Sequence, residues 1–488
     1  MTSEIPGTLV ELTGFEKACC VFGNWVTICH AAHLTGDSTI ISKNIHQAIL
    51  YLIKRYPRMR AEIRTIGYQH HLHVLNYDEK QINANLFYSI VNPEGKSWQS
   101  FVEKGCDQNP FKDDGKRAFP LFHFMLLVYP STCSSEGDTF HLLLFHNHAA
   151  SDGRSGFIIL NDFFNFVTSE NLNEHIEPVN NDIIPCMTHL MPRPFGFLFP
   201  LMSWIGLLIM KSEARKLHHT HIPVKPMPIT ENSSTSHHPV VKSNFLFSST
   251  SSTLFSRLHS KCRSEQVTLQ GPLAACLLVA IDYCFPKAKN SQKAKLIPHK
   301  LGLAIDMRSR LPSSVLSPNT VGFCVGVSEL DLKSSFPYDS TRFWDLAKKC
   351  MRATNKSITN GDPQKFLHIF NSVIDNERKY EQLSREYPNG HTSEIALSNI
   401  GKYPFPSRYN GGQLKLNGLH VVNNSSSHYS TACFFITCVE SGALDISLVH
   451  AIANQEKAKE FFDCYTRILE VCADSSIDVN LTQLKLLL

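Results

Sequence analysis

Residues 140–164 read FHLLLFHNHAASDGRSGFIILNDFF, and the polar centre of this stretch holds the side chains best suited to chemistry. His146, Asn147, His148, Ser151, Asp152 and Gly153 follow one another closely. A histidine titrates near neutrality and can take or give a proton there. His148 and Asp152, spaced as H-x-x-x-D-G, leave several roles open. His148 can be a general base, or His146, His148 and Asp152 can offer two imidazoles and a carboxylate to a metal. It can equally be a satisfied core residue, since histidine is intermediate in burial, and the turn alone does not decide. The metal reading lacks the usual spacing, because H-x-H-x-D-H places the aspartate two residues after the second histidine. None of the 24 histidines forms an H-E-x-x-H pair. Ser151 as a nucleophile lacks the G-x-S-x-G elbow.

The elements that would position these residues surround them. Residues 140–145 suit a buried strand, residues 146–153 a polar turn, and an apolar helix is predicted from Arg154. Gly153 permits the close backbone path of such a turn. Upstream, residues 19–30 read as a first strand. Ile45, Ala48, Ile49, Leu52, Ile53 and Tyr56 make one apolar helical stripe, which Pro57 ends. Residues 59–66 and 71–75 read as a hairpin, and 121–129 as a strand. The second half predicts a strand near Phe245, helices over 252–263 and 268–284, and strands over 301–306 and 319–327. A helix over 341–356, strands over 394–400, 428–439 and 443–450, and a closing helix from Ala458 to Cys472 follow. Alternation of this kind predicts an α/β protein with mixed sheets and two domains, 1–175 and 243–488. A proline-rich crossover over 176–242 joins them.

With 488 residues the chain exceeds one ordinary core. Its net charge of +4 shows no basic stripe, so nucleic acid is not an expected partner. Fifteen cysteines without C-x-x-C spacing, and a start lacking the basic and apolar regions of a signal peptide, predict free thiols and a cytoplasmic protein. Residues 195–210 carry no charge but contain Pro200 and fall short of a comfortable span. They can cover the domain interface, attach to a membrane surface or, least readily, cross a membrane.

Further matches run the length of the chain in order. Arg55-Tyr56-Pro57 with Met59-Arg60 ends the first long helix, and Pro120-Leu121-Phe122 opens a strand. The run from Ser264 to Leu269 turns into a helix, and Arg308 precedes Asn319-Thr320-Val321-Gly322. Leu397-Ser398-Asn399-Ile400-Gly401 completes the series. With His148 to Gly153, this order resembles the chloramphenicol acetyltransferase-like acyltransferases, and most nearly their alcohol O-acetyltransferase branch. Asn147 stands where many relatives keep a first histidine. The D-F-G-W-G motif of the plant BAHD branch is absent.

The resemblance implies two acetyltransferase-like domains with the active site at their interface. It implies acyl transfer from acyl-CoA, a co-substrate, to a small-molecule alcohol or amine, with His148 as general base and no bound cofactor or metal. Asp152 then braces the turn by pairing with an arginine, Arg308 or, as runner-up, Arg310, and Gly153 acts sterically. Ser398, Asn399 and residues 427–431 are candidates for oxyanion or acceptor contacts. A monomer is expected, with peripheral membrane contact through 195–210 left open. A condensation-type or N-acyltransferase, a carrier-protein donor, a non-catalytic binding module and a metal hydrolase remain the alternatives.

Overall fold

A computed structural model describes residues 6–20, 25–66, 69–79, 82–108, 117–129, 138–170, 179–217, 222–224, 243–286, 295–312, 315–374, 386–387, 391, 393–424, 430–474 and 479–488. The first half contains β1 (Gly7–Glu11), α1 (Gly14–Ala18), β2 (Thr27–Gly36), α2 (Ser38–Arg55), β3 (Ala61–Ile66) and β4 (Gln69–Leu75). It continues with β5 (Tyr88–Val91), α3 (Trp98–Cys106), β6 (Arg117–Ala118), β7 (Phe122–Leu127), β8 (Asp138–Asn147) and α4 (Gly153–Val167). Helices α5 (Met187–Leu190) and α6 (Phe199–Leu217) lie in the crossover. The second half holds β9 (Asn244–Ser249), α7 (Leu254–Ser264), α8 (Gln270–Cys284), β10 (Lys295–Leu296), β11 (Leu301–Asp306), β12 (Val325–Leu330) and β13 (Phe336–Pro337). Then come α9 (Phe343–Thr359), α10 (Asp362–Ile374), β14 (Ser393–Lys402), β15 (Arg408–Tyr409), β16 (Leu414–Asn423), β17 (Ser430–Cys438), β18 (Leu444–His450), α11 (Gln455–Cys472) and α12 (Leu481–Leu486).

Two six-stranded mixed sheets organise the chain. The first runs β15-β16-β2-β8-β7-β5 and the second β12-β11-β14-β17-β18-β9. Strand β8 is central to the first, antiparallel to both β2 and β7. Its residues 142–145 read as an unbroken apolar run because both faces of the strand are covered. Phe140, Leu142 and Leu144 join the core beneath α2 and α4, while Leu143 and Phe145 belong to a separate core between the sheets. Phe245, Phe435 and Val449 of the second sheet complete that inter-sheet core. Helix α8 is buried nearly all round, and its uniform apolarity follows from packing against α9, α11 and the second sheet.

The elements depart from the sequence reading in several places. The strand expected over 19–30 begins only at Thr27. Cys19 instead closes α1, donating its N–H to the Phe15 carbonyl at 3.1 Å. Helix α2 starts earlier than its stripe, because Asp37 caps it by accepting from the Thr39 N–H at 2.9 Å. Residues 319–324 are a loop and not a strand, since their backbone groups serve the side chains described below. Strands β5, β15 and β16 and helices α3 and α10 were not expected. Strand β16 leaves the second half to pair with β2, Leu419 opposite Ala32. Residues 243–488 therefore do not make a self-contained domain. Most of the linker, residues 218–221 and 225–242, lies outside the described residues.

Of the segment 195–210, read as a cover for part of the domain interface, only one face is packed. Helix α6 packs on α10 through its small residues: Ser203 hydrogen-bonds Ser372, and a Cβ on Gly206 would lie 2.7 Å from Ile369. Phe199 is buried and Leu207 and Met210 are half-buried on this side, whereas Leu201, Trp204, Leu208 and Ile209 face outward.

Away from the H-x-x-x-D-G turn, histidines crowd the junction of the sheets. His33 and His141, opposite each other on β2 and β8, share a ring-to-ring hydrogen bond of 3.0 Å. His420 of β16 bonds Ser447 at 3.1 Å, and Trp98 of α3 packs against all three rings. Burial pushes His33 and His420 down to about 3 and His141 to about 4. These rings are neutral in the fold, whereas the unfolded chain takes up protons near 6.5. Stability must therefore fall as pH drops from 6.5 towards 4. Denaturation midpoints measured across that window should fall less steeply in His141→Gln than in the wild type. Equal slopes would contradict this reading.

Candidate active site

Strand β8 delivers the turn, and Asn147 shapes it. The Asn147 carboxamide accepts from the Ala149 N–H at 2.8 Å and donates to the Val26 carbonyl at 3.1 Å. Its backbone N–H reaches the Leu121 carbonyl at 2.9 Å. The residue at the position of the missing first histidine is thus a buried Asx brace. His148 follows, its N–H held by the Val26 carbonyl at 2.8 Å. Its ring Nδ1 lies 3.0 Å from the Ser151 carbonyl. A carbonyl can only accept, so Nδ1 carries the proton of the neutral ring and Nε2 keeps a lone pair. The ring is half-buried, with Phe323 of the second half at 5.0 Å. Burial lowers its pKa, opposed by the Asp152 charge and the Ser151 carbonyl. Ser151 gives His148 its carbonyl rather than its hydroxyl, which is not the contact a serine nucleophile needs.

Asp152 is wholly buried and caps α4. Arg308 donates to its two oxygens at 3.0 Å each, the Ser155 N–H adds 2.8 Å and the Cys324 N–H 2.8 Å. Burial alone would raise this carboxyl, but Arg308 and the two N–H groups hold it below the usual range. Arg308 also donates to the Thr320 carbonyl, to Asp306 and to the Ser155 hydroxyl, at 3.0, 3.1 and 2.8 Å. All five of its N–H groups are therefore used. Arg310, the alternative partner, is exposed.

Three further residues hold the turn and were not singled out in the sequence. Ser155 Oγ donates to the Gly322 carbonyl at 2.9 Å and accepts its N–H at 3.0 Å, tying α4 to the 319–324 loop. Arg58 donates to the Ala149 carbonyl at 3.2 Å and to Glu16 at 3.1 Å, a buried pair under the turn. His30 donates from Nε2 to the Gly153 carbonyl at 2.8 Å and meets His146 Nε2 at 3.3 Å. A Cβ on Gly156 would lie 2.1 Å from the His30 ring. A glycine inside an apolar helix was the available signal, because it costs about 1 kcal/mol against alanine without a packing reason. His146 is thereby turned towards His30 beneath α4, and Asp152 is committed to Arg308. The three groups that could have ligated a metal point to different partners.

From the second half, β14 reaches the turn. A bulge at Ile400 separates the Asn399 and Gly401 pairings with β17. A Cβ on Gly153 would lie 3.1 Å from the Ile400 side chain, so the glycine allows this approach. Ser398 pairs with Phe435, whose side chain lies in the inter-sheet core, which places Ser398 on that face. Asn399 pairs with Ile436 of the helix-covered core and donates to Gln270 of α8 at 3.1 Å. The structure therefore brings Ser398 to the face between the sheets and turns Asn399 away from it. Residues 427–429 lie outside the described residues. Two open hollows gather around Arg55 and Asp162, near the far end of α4, and neither is lined by His148.

The model of the alcohol acetyltransferase family matches residues 115–469, well over half of the chain and including this turn. No curated protein matches the sequence. Among solved structures, the chain is similar to the TRI3 trichothecene 15-O-acetyltransferase of Fusarium sporotrichioides, with a TM-score of 0.70, 11% identity and 96% of each chain covered. Polyketide synthase associated protein 5 of Mycobacterium tuberculosis follows at 0.60 and 16% identity, covering 97% of this chain and 100% of that one. The starter condensation domain of rhizomide synthetase RzmA, in complex with C8-CoA, aligns at 0.54 and 12%, covering 97% and 96%. At these identities the likeness is one of fold: two lobes of the chloramphenicol acetyltransferase kind.

Removing either member of the buried pair leaves the other charge or its donors stranded, at a cost of about 3–5 kcal/mol. Arg308→Met and Asp152→Asn should each lose about that much in urea unfolding. Arg308→Lys should recover little, because an ammonium cannot reproduce the two-pronged contact. Unchanged unfolding midpoints in these variants would show that the pair does not brace the turn.

Proposed function

Because the chain belongs to the alcohol acetyltransferase family, we propose that it moves an acyl group from acyl-CoA to the hydroxyl of a small-molecule acceptor, with His148 as general base. The observation that carries the proposal is the hydrogen bond from His148 Nδ1 to the Ser151 carbonyl. It fixes the tautomer whose Nε2 lone pair can accept the acceptor's proton. As that proton moves to Nε2, the alcohol oxygen attacks the thioester carbonyl carbon and a tetrahedral oxyanion forms. The C–S bond then breaks, the ester is released, and the thiolate of CoA takes the proton back from Nε2. The ring returns to its starting form, with no acyl-enzyme and no metal in the cycle.

Three further observations support this reading. Burial keeps His148 neutral, the form a base requires, and a positioned base contributes roughly 10²- to 10⁴-fold. Ser398 lies on the inter-sheet face, where its hydroxyl is the candidate donor to the oxyanion. The CoA thioester donor is supported by the structural likeness to a condensation domain bound to C8-CoA.

The test is release of free thiol from acetyl-CoA in the presence of alcohols and, separately, amines. Alcohol-dependent release that is indifferent to a chelator and falls roughly 10²- to 10⁴-fold in His148→Ala is the expected outcome. Loss on chelation, or full activity in His148→Ala, would overturn the proposal, and turnover of amines alone would move it to N-acylation. The acid limb of kcat/KM should lie below pH 6.5, following the lowered pKa of His148. A limb at or above that value would show that another group titrates.

A further inference from the structure

Helix α6 presents an apolar face that no described part of the chain covers. Phe197, in the turn just before the helix, and Leu201, Trp204 and Leu208 recur at helical spacing on its outer side, with Ile209 beside them. They are 91, 53, 59, 46 and 57% exposed. The opposite face is occupied, because Ser203 and Gly206 lie against α10 and Ala214 joins a small core with Val373 and Tyr387. At 1.5 Å per residue the 19-residue helix is about 28 Å long. Because it is docked side-on, it lies along the protein and does not stand away from it.

Charge distinguishes what could cover this face. Arg193, stacked over the Phe199 ring at 4.0 Å, marks one end and the exposed Arg215 the other. Glu213 is the acidic residue of the helix, and it is paired with Lys300 at 2.7 Å. Two copies meeting through this face, as a symmetric dimer requires, would bring positive ends together. A bilayer surface with anionic headgroups complements it instead. Arginines meet phosphates and carboxylates, the tryptophan ring sits at headgroup depth, and the apolar stripe enters the acyl boundary. We propose that the outer face of α6 is a membrane-surface docking site that seats in the interfacial layer of an anionic bilayer and holds the protein against it.

Flotation of the full-length protein with vesicles tests this, using phosphatidylcholine alone and phosphatidylcholine mixed with phosphatidylserine. The wild type should float with the mixed vesicles. Leu201→Ser/Trp204→Ser/Leu208→Ser should bind at least about tenfold more weakly, with an unchanged melting temperature and unchanged thiol release on a soluble alcohol. Arg193→Gln/Arg215→Gln should lose about tenfold on the mixed vesicles and little on the neutral ones. If the triple variant fails to fold, Trp204→Ser alone should lower binding, and brominated lipid should quench wild-type tryptophan emission by more than it quenches that variant. A wild type that floats with neither vesicle, or variants that float equally well, would overturn the proposal. So would a wild-type dimer in sedimentation that the triple variant returns to monomer, since a second copy would then cover the face.

Discussion

Asp152 and Arg308 meet through two parallel hydrogen bonds of 3.0 Å in a site closed to solvent, and the geometry of the turn depends on that pair. Taking two charges out of water is costly and is offset only when their remaining hydrogen-bonding capacity is met. Here it is met from both halves of the chain. The carboxylate also accepts from Ser155 at the start of α4 and from Cys324 in the loop before β12. The guanidinium spends its other donors on Thr320, Asp306 and Ser155. Strand β8, helix α4 and the 319–324 loop are thereby fixed relative to one another at a single point.

Everything proposed for His148 is a consequence of that fixation. Its ring is oriented by the Ser151 carbonyl, one residue before the anchored aspartate. Asp152 does not touch the ring and so is no relay. Its charge opposes the burial that lowers the His148 pKa, and its main work is to hold the backbone that holds the ring. Below the turn, Arg58 with Glu16, and His30 with Gly153, fasten the carbonyls that the turn would otherwise leave unpaired. The site is a rigid polar loop set into apolar sheets, as a base with a demanded orientation requires.

What could be read in the sequence follows from how local each signal is. Strand β8, its turn and α4 were legible because apolar run, polar break and apolar helix lie within one short stretch. The stripe of α2 was legible for the same reason, although its first turns, which lack that periodicity, were not. Strand β16 was invisible, since its partner β2 is almost the whole chain away and a glycine and a bulge interrupt its alternation. The 319–324 loop was misread as a strand because its apolar residues suit either state. Only the three-dimensional position of Arg308 shows that its carbonyls and N–H groups are needed elsewhere. Ser155, Arg58 and His30 act through distant contacts and left no periodic trace, except that Gly156 hinted at something large above it.

The central claim is that His148 is neutral at physiological pH and protonated on Nδ1, leaving Nε2 free to act as the base. Nitrogen NMR of the enzyme labelled on its histidine rings, with His148 assigned by comparison with His148→Gln, observes this without reference to turnover. The account predicts a protonated Nδ1 and an unprotonated Nε2 at pH 7, persisting below pH 6.5. A proton on Nε2, or an imidazolium at pH 7, would contradict it.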